Sequence, residues 1–189
     1  MSLEGIIIDY QENKEDIEHW VTLKGEFRYK KIISFMQAKN IECNWHNVTS
    51  YIKYDKRILI NSFKYIVFLE EMYKSFIYKF KRSAKPSSMD FQQAYHEYLA
   101  LGEQAVFDGV DLVKMGQYKD SITKFRNKVA HNCILLNGRF RGASLEEVLE
   151  QLVEIMPHSY RKGFINDINA CAKGLVEDEN LWHIELRVD

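Results

Sequence analysis

The sequence predicts an all-α fold, a bundle of helices, and three observations carry that prediction. Only 2 prolines and 9 glycines occur among 189 residues, too few to punctuate many short strands joined by tight turns. Apolar side chains recur at helical spacing, most clearly from about Asp55 to Arg82. There Ile58, Leu59, Tyr65, Ile66, Leu69, Met72, Tyr73, Phe76, Ile77 and Phe80 share one broad arc, as a helix packed against several neighbours requires. Helix-start signals precede the other apolar runs: Asn13, Asp90 with Gln93, and Ser144 with Glu147.

In chain order, Asn13 caps a helix holding Ile17, Trp20 and Val21, with Glu15 and Asp16 in its first turn where the helix dipole favours acids. Gly25 interrupts it, and a second helix runs from Tyr29 to Lys39. Asn40 to Asn47 reads as a loop, followed by the long central helix from about Asp55. The basic, proline-containing stretch Lys81 to Ser88 is a loop within one domain. Asp90 opens a helix to about Leu101, and another covers Glu103 to Met115, with Gly116 as its C-cap. Asp120 or Ser121 then caps a helix through Val129. Asn137-Gly138-Arg139 is a turn signal, with Ile134 to Leu136 a short extended piece before it. Ser144 opens a helix that Pro157 ends. Ser159 to about Lys173 forms the last helix, and the tail Leu181 to Val188 suits either a short helix or a strand. Residues 1–189 make a single domain, long enough to bury a core.

Basic residues number 26 and acidic ones 27, for a net charge of −1. Whole-molecule charge therefore supplies no affinity for nucleic acid, and any such binding needs a local patch. Cys43, Cys133 and Cys171 are odd in number and widely spaced, which excludes a disulfide framework or a zinc ligand set and points to a reducing, cytoplasmic location. The N-terminus lacks the basic flank and long apolar core of a secretory leader. No stretch approaches the roughly 18 apolar residues of a membrane span. Nothing suggests a cofactor, and no acids and histidines are arranged to bind a metal.

One segment stands out from this packing material: Phe125-Arg126-Asn127-Lys128-Val129-Ala130-His131-Asn132. Ile122, Phe125 and Val129 face the bundle, while Asn127 and His131, four apart, share a more exposed side. Arg126 lies roughly 55° from the centre of the apolar face, so it snorkels outward or meets an acid at the core edge. Glu70, at the edge of the central helix's apolar arc, is a candidate for that acid; an unrelated ion pair is the other reading. Arg126 and His131 are about 140° apart around an ideal helix and roughly 7.5 Å apart along it. They converge if the helix ends between them, if Arg126 swings around, or if a second chain supplies one of them.

Histidine moves protons near neutral pH, a guanidinium clamps phosphate, and an amide orients a hydroxyl. Together they suffice for cleavage of RNA through attack by its own 2′-hydroxyl, a route closed to DNA. Lys124 and Lys128 add local positive charge as substrate-binding residues. Taken alone, an arginine and a histidine this close more often mean a salt bridge and a helix-ending cation than a catalytic pair. The tyrosines Tyr51, Tyr54, Tyr65, Tyr73 and Tyr78 read as core or interface rather than a base-stacking surface, and Cys133 as a packing residue.

Arg126-Asn127-Lys128-Val129-Ala130-His131 resembles the motif of the HEPN superfamily: an arginine, a polar residue, and a histidine after a short spacer. With Leu135, Leu136 and Asn137 following, and Tyr54-Asp55-Lys56-Arg57-Ile58-Leu59 and Glu70 upstream, it is similar to the abortive-infection (Abi-like) branch. The resemblance covers about residues 51–141, the motif-bearing core. It implies a HEPN-type helical bundle with extra peripheral helices, forming a homodimer through the motif helix. It further implies a metal-independent endoribonuclease acting as a toxin or phage-defence effector, with an antitoxin or regulatory partner possible. On this resemblance His131 transfers protons, Arg126 clamps phosphate and Asn127 orients. Cys133 stands where one toxin branch has a tyrosine modified by a partner nucleotidyltransferase, which argues against that mode of control. Some superfamily members use the bundle only for binding or assembly, and a catalytically silent helical dimer is the alternative.

Overall fold

A computed structural model of the chain describes residues 3–81, 85–177 and 181–187. Seven α-helices are found among them: α1 (Lys14–Lys24), α2 (Glu26–Ala38), α3 (Trp45–Phe80), α4 (Phe91–Leu99), α5 (Leu112–Ala130), α6 (Leu145–Ile155) and α7 (His158–Asn169). The described residues contain no strand, only an isolated bridge between Phe140 and Ala143. The all-α expectation holds.

The 36-residue α3 is the hub, packing on α2, α4, α5 and α7. Its side chains Val48, Tyr51, Tyr54, Ile58, Leu69, Tyr73 and Ile77 are wholly buried. It starts at Trp45, ten residues before the expected Asp55. The intervening Trp-His-Asn-Val-Thr-Ser stretch has poor helix propensity, but two tertiary terms override it. The Asn44 side chain accepts the Asn47 N–H at 2.8 Å as an N-cap, and Trp45 stacks on Tyr29 of α2 at 5.7 Å between centroids. The expected loop therefore ends at Asn44. Of the helix's expected end and the basic loop that follows, residues 82–84 lie outside the described residues.

The capping boxes at Asp90–Gln93 and Ser144–Glu147 form as read, with both reciprocal hydrogen bonds present in each. Gly25, at φ +85°, breaks α1 from α2 in a conformation that glycine adopts without strain.

The helix boundary expected at Gly116 is wrong. Glu103 to Met115 is not one helix: Gly102–Ala105 is a 3₁₀ turn, and a loop with Asp108 and Gly109 at positive φ follows. Gly109 lies directly beneath the His158 imidazole, leaving no room for a Cβ. The motif helix starts instead at Leu112, where the Asp111 carboxylate accepts the Val113 and Lys114 N–H groups, and it continues through Gly116. A glycine within a helix costs only about 1 kcal/mol, less than the tertiary contacts here return. Met115 beside it is fully buried, and its carbonyl accepts the Tyr95 hydroxyl.

α7 starts at His158 and gives way at Ala170–Ala172 to a 3₁₀ turn, short of the expected Lys173. The tail is neither helix nor strand over 181–187, and Val188 lies outside the described residues. Side chains pin it instead: Tyr51 donates to the Trp182 carbonyl, the Tyr54 hydroxyl accepts the Ile184 N–H, and Asn169 pairs with both backbone groups of Leu186.

Candidate functional site at the end of the motif helix

α5 buries Met115, Ile122, Phe125 and Val129, with the Phe125 ring edge-on to Phe140 at 5.2 Å. That stripe fixes which residues face outward. The helix stops at Ala130, and His131 is its C-cap. Asn132 then takes φ +52°. Its N–H donates to the Val129 carbonyl and the Cys133 N–H to the Lys128 carbonyl, the paired bonds of a Schellman termination with asparagine in the left-handed position. Asn132 is held twice more: Arg28 donates to its carbonyl at 3.0 Å and Lys56 to its Oδ1 at 2.8 Å.

Just beyond, the Leu135 and Leu136 N–H groups donate to Asp55 Oδ1 at 2.8 and 2.9 Å. Asp55 is completely buried in α3, so one carboxylate ties the chain after the motif to the hub helix. Burial pushes its carboxyl up to about 6, while the two N–H donors, Arg28 and Lys56 pull the other way.

Arg126 sits in a prepared seat. Its Nη2 lies 3.3 Å from Glu70 Oε2, with the side chains only 27% and 19% exposed. Its guanidinium packs over the Phe91 ring at 5.7 Å, and Nη1 reaches Asn127 Oδ1 at 3.4 Å. Lys74, one turn from Glu70, takes the other carboxylate oxygen at 2.7 Å. Glu70 therefore stands against Arg126, as the core-edge reading requires. The long Arg126 side chain bends back from the core edge and touches both Glu70 and Asn127. Arg126 and Ala130 form one wall of a cavity of about 350 Å³, with Phe63, Val67, Glu70 and Lys74 of α3 opposite.

His131 is exposed at the helix terminus, and its ring has no hydrogen-bond partner among the described residues. The helix does end between Arg126 and His131, but the structure brings Arg126 together with Glu70 and Asn127, not with His131. Of the two expected substrate-binding lysines, Lys124 is exposed, whereas Lys128 lies over the Phe140 ring at 4.8 Å. Burial lowers the Lys128 ammonium, and the charges of Lys31 and Lys124 add to that effect.

Sequence reasoning assigned no role to Asp55, Phe91, Lys74 or Asn132. Asp55 carried a signal: an acid between Tyr54 and Ile58, on the buried face, requires internal donors. Phe91 carried none.

A guanidinium has five N–H donors. Glu70 and Asn127 engage two of the Arg126 nitrogens, so donors remain for a phosphate. Comparisons with protein families, curated proteins and solved structures find nothing that matches this chain. Among the described residues no group of three or more His, Cys, Asp or Glu side chains is placed to hold a metal ion, and no helix is long and apolar enough to cross a membrane.

Proposed function

We propose that this protein is a metal-independent endoribonuclease of HEPN type, acting as a homodimer in a toxin or phage-defence role. The observation that carries the reading is the seating of Arg126. Its guanidinium is held between Glu70, Phe91 and Asn127 at the rim of a groove, five residues before an exposed histidine at the helix end. Holding a cation in place before substrate arrives is how a site stabilises charge that develops on a phosphate.

In this reaction the substrate's 2′-hydroxyl oxygen bonds to the adjacent phosphorus and the bond to the 5′ oxygen breaks. The 2′ proton leaves to a base and a proton reaches the departing oxygen, leaving a 2′,3′-cyclic phosphate and a 5′-hydroxyl. His131 supplies the proton transfer, Arg126 holds the phosphate and Asn127 orients it. A second copy completes the site, because one chain offers one exposed His131 and no bond from it to Arg126. Ile60 and Phe63 support pairing on this side: they lie about a turn apart on α3, 56% and 49% exposed, and Phe63 lines the same groove as Arg126. An antitoxin or other regulatory partner fits this role.

The test is incubation of pure protein with mixed RNA in the presence of a chelator. Cleavage leaving cyclic phosphate ends, sparing DNA, and lost in both Arg126→Ala and His131→Ala is expected. The second reading, a catalytically silent helical dimer, draws on the same Glu70–Arg126 pair, which is sufficient reason for an arginine at this position. It expects those substitutions to change stability or partner binding and no phosphodiester chemistry.

A further inference from the structure

A second concavity opens on the other side of the motif's end. Lys24 at the end of α1, Arg28 on α2, and Lys53, Lys56 and Arg57 on α3 surround it, with Asn132 at its edge. Its volume is about 610 Å³, and Ile52 also lines it. Among the described residues five cations and no carboxylate line it, in a protein whose net charge is −1. Like charges gathered this closely repel one another unless an anion joins them.

Neutral groups hold most of these cations in place without cancelling their charge. Arg28 and Lys56 donate to the carbonyl and the side chain of Asn132. Arg57 donates to the Cys171 and Lys173 carbonyls, and Lys24 lies over the Trp20 ring at 4.4 Å. Asp55, an acid close enough to feel Arg28 and Lys56, is wholly buried and turned to the Leu135 and Leu136 N–H groups. On α2, Lys31 lies one turn beyond Arg28 and close enough to act on Lys128 of α5. Positive charge thus extends from the pocket along α2 to the motif helix.

We infer that this pocket binds the sugar–phosphate backbone of single-stranded nucleic acid, and that it holds the flank of the RNA whose scissile phosphate lies at Arg126 and His131. The inference rests on the ribonuclease reading for the identity of the strand, while the pocket itself rests on its own cations. Asn132 joins the two, since it follows His131 and forms the pocket's edge. A strand leaving the histidine on that side enters the pocket directly. Backbone recognition by cations is indifferent to base and sugar, so single-stranded DNA, which this chemistry does not cut, serves as an uncleavable probe.

The experiment measures binding of a fluorescent 12-nucleotide single-stranded DNA across a salt series. Lys24 and Lys53 are exposed and donate no hydrogen bond to another described residue, so Lys24→Glu/Lys53→Glu removes charge without dismantling the pocket. Lys24→Ala/Lys53→Ala serves as the milder variant, and thermal melting verifies that each is folded. The wild type should bind the oligonucleotide, more weakly as salt rises. The double glutamate variant should bind at least about tenfold more weakly, with a salt slope shallower by roughly 1.4, the value for two lost single-strand contacts. Unchanged affinity in both folded double variants, or no binding by the wild type, overturns the proposal. So does pyrophosphate binding as tightly as the oligonucleotide, which would make this a small-anion site. Cleavage of RNA with pocket-independent binding removes the pocket and leaves the ribonuclease reading. Pocket-dependent binding without cleavage does the reverse.

Discussion

Asp55 Oδ1 lies 2.8 Å from the Leu135 nitrogen, a bond across 80 positions of sequence made wholly inside the protein. It accepts the Leu136 N–H as well, while Oδ2 has no partner among the described residues. Because burial raises this carboxyl from 3.8 to about 6, the folded state holds a proton more tightly than the unfolded chain. The sign follows: the contribution is most favourable below pH 3.8, declines as pH rises, and is fully unfavourable above about 6. A shift of about two units is worth roughly 3 kcal/mol. Asp55→Asn keeps an oxygen for both N–H groups and removes the charge. Urea unfolding between pH 4 and 7 should show the variant gaining on the wild type across that window. Parallel pH profiles would show that Asp55 does not titrate there. Asp55→Ala strands two buried donors and should cost about 2–6 kcal/mol at pH 7.

On the ribonuclease reading, Glu70 acts only through Arg126. Glu70→Gln removes the anion that aims the guanidinium but leaves a side chain of the same size. Turnover should fall by roughly 10²-fold, the cost of a small misplacement at a reacting phosphate, while unfolding free energy changes by about 1 kcal/mol. Lys74→Met is the control: it removes the other partner of Glu70 and should leave turnover near wild type. Equal losses in both variants would make the cluster a stabilising ion network rather than a seat for Arg126.

Three tyrosines packed together in the core provide a test free of any functional assumption. The Tyr73 ring meets Tyr95 and Tyr98 at 5.5 and 4.7 Å, and its hydroxyl is buried with no partner among the described residues. Tyr95 and Tyr98 donate to the Met115 and Ala105 carbonyls. Tyr73→Phe should therefore raise stability by about 1 kcal/mol, because it removes an unsatisfied polar group. Tyr95→Phe and Tyr98→Phe should each lower it by about the same amount. Denaturant midpoints decide between this order and its reverse.

What could be read from the sequence was local. The boxes at Asp90–Gln93 and Ser144–Glu147 and the break at Gly25 each depend on residues within four positions, and they form as read. The start of α3 depends on Trp45 meeting Tyr29, and the continuation of α5 through Gly116 depends on packing around Met115. Both are tertiary, and both boundaries were misplaced. The candidate site divides the same way. Arg126, Asn127 and His131 lie within six residues and could be singled out. The Phe91 ring under Arg126, the Asp55 anchor and the five cations around Asn132 come from distant parts of the chain that periodicity cannot align. Glu70 lies between these cases: its core-edge position suggested a cationic partner, and only the packing of α3 on α5 supplies one.

Asn132 is the residue where backbone and side-chain roles can be separated. Its φ of +52° ends α5, and its Oδ1 receives Lys56. Asn132→Gly keeps the left-handed turn and the carbonyl that Arg28 reaches, but loses the Lys56 contact. Since that contact is exposed, stability should change by no more than about 0.5 kcal/mol. Asn132→Ala loses the same contact and adds strain of about 1–2 kcal/mol. If the turn is what presents His131, RNA cleavage should survive the glycine substitution and fall with alanine, and melting temperatures should follow the same order. Equal loss of cleavage in both variants, with the glycine variant fully stable, would shift the role to the side chain and its grip on Lys56. The order of the two activities therefore decides whether the motif's last residue shapes the helix end or binds the basic pocket to it.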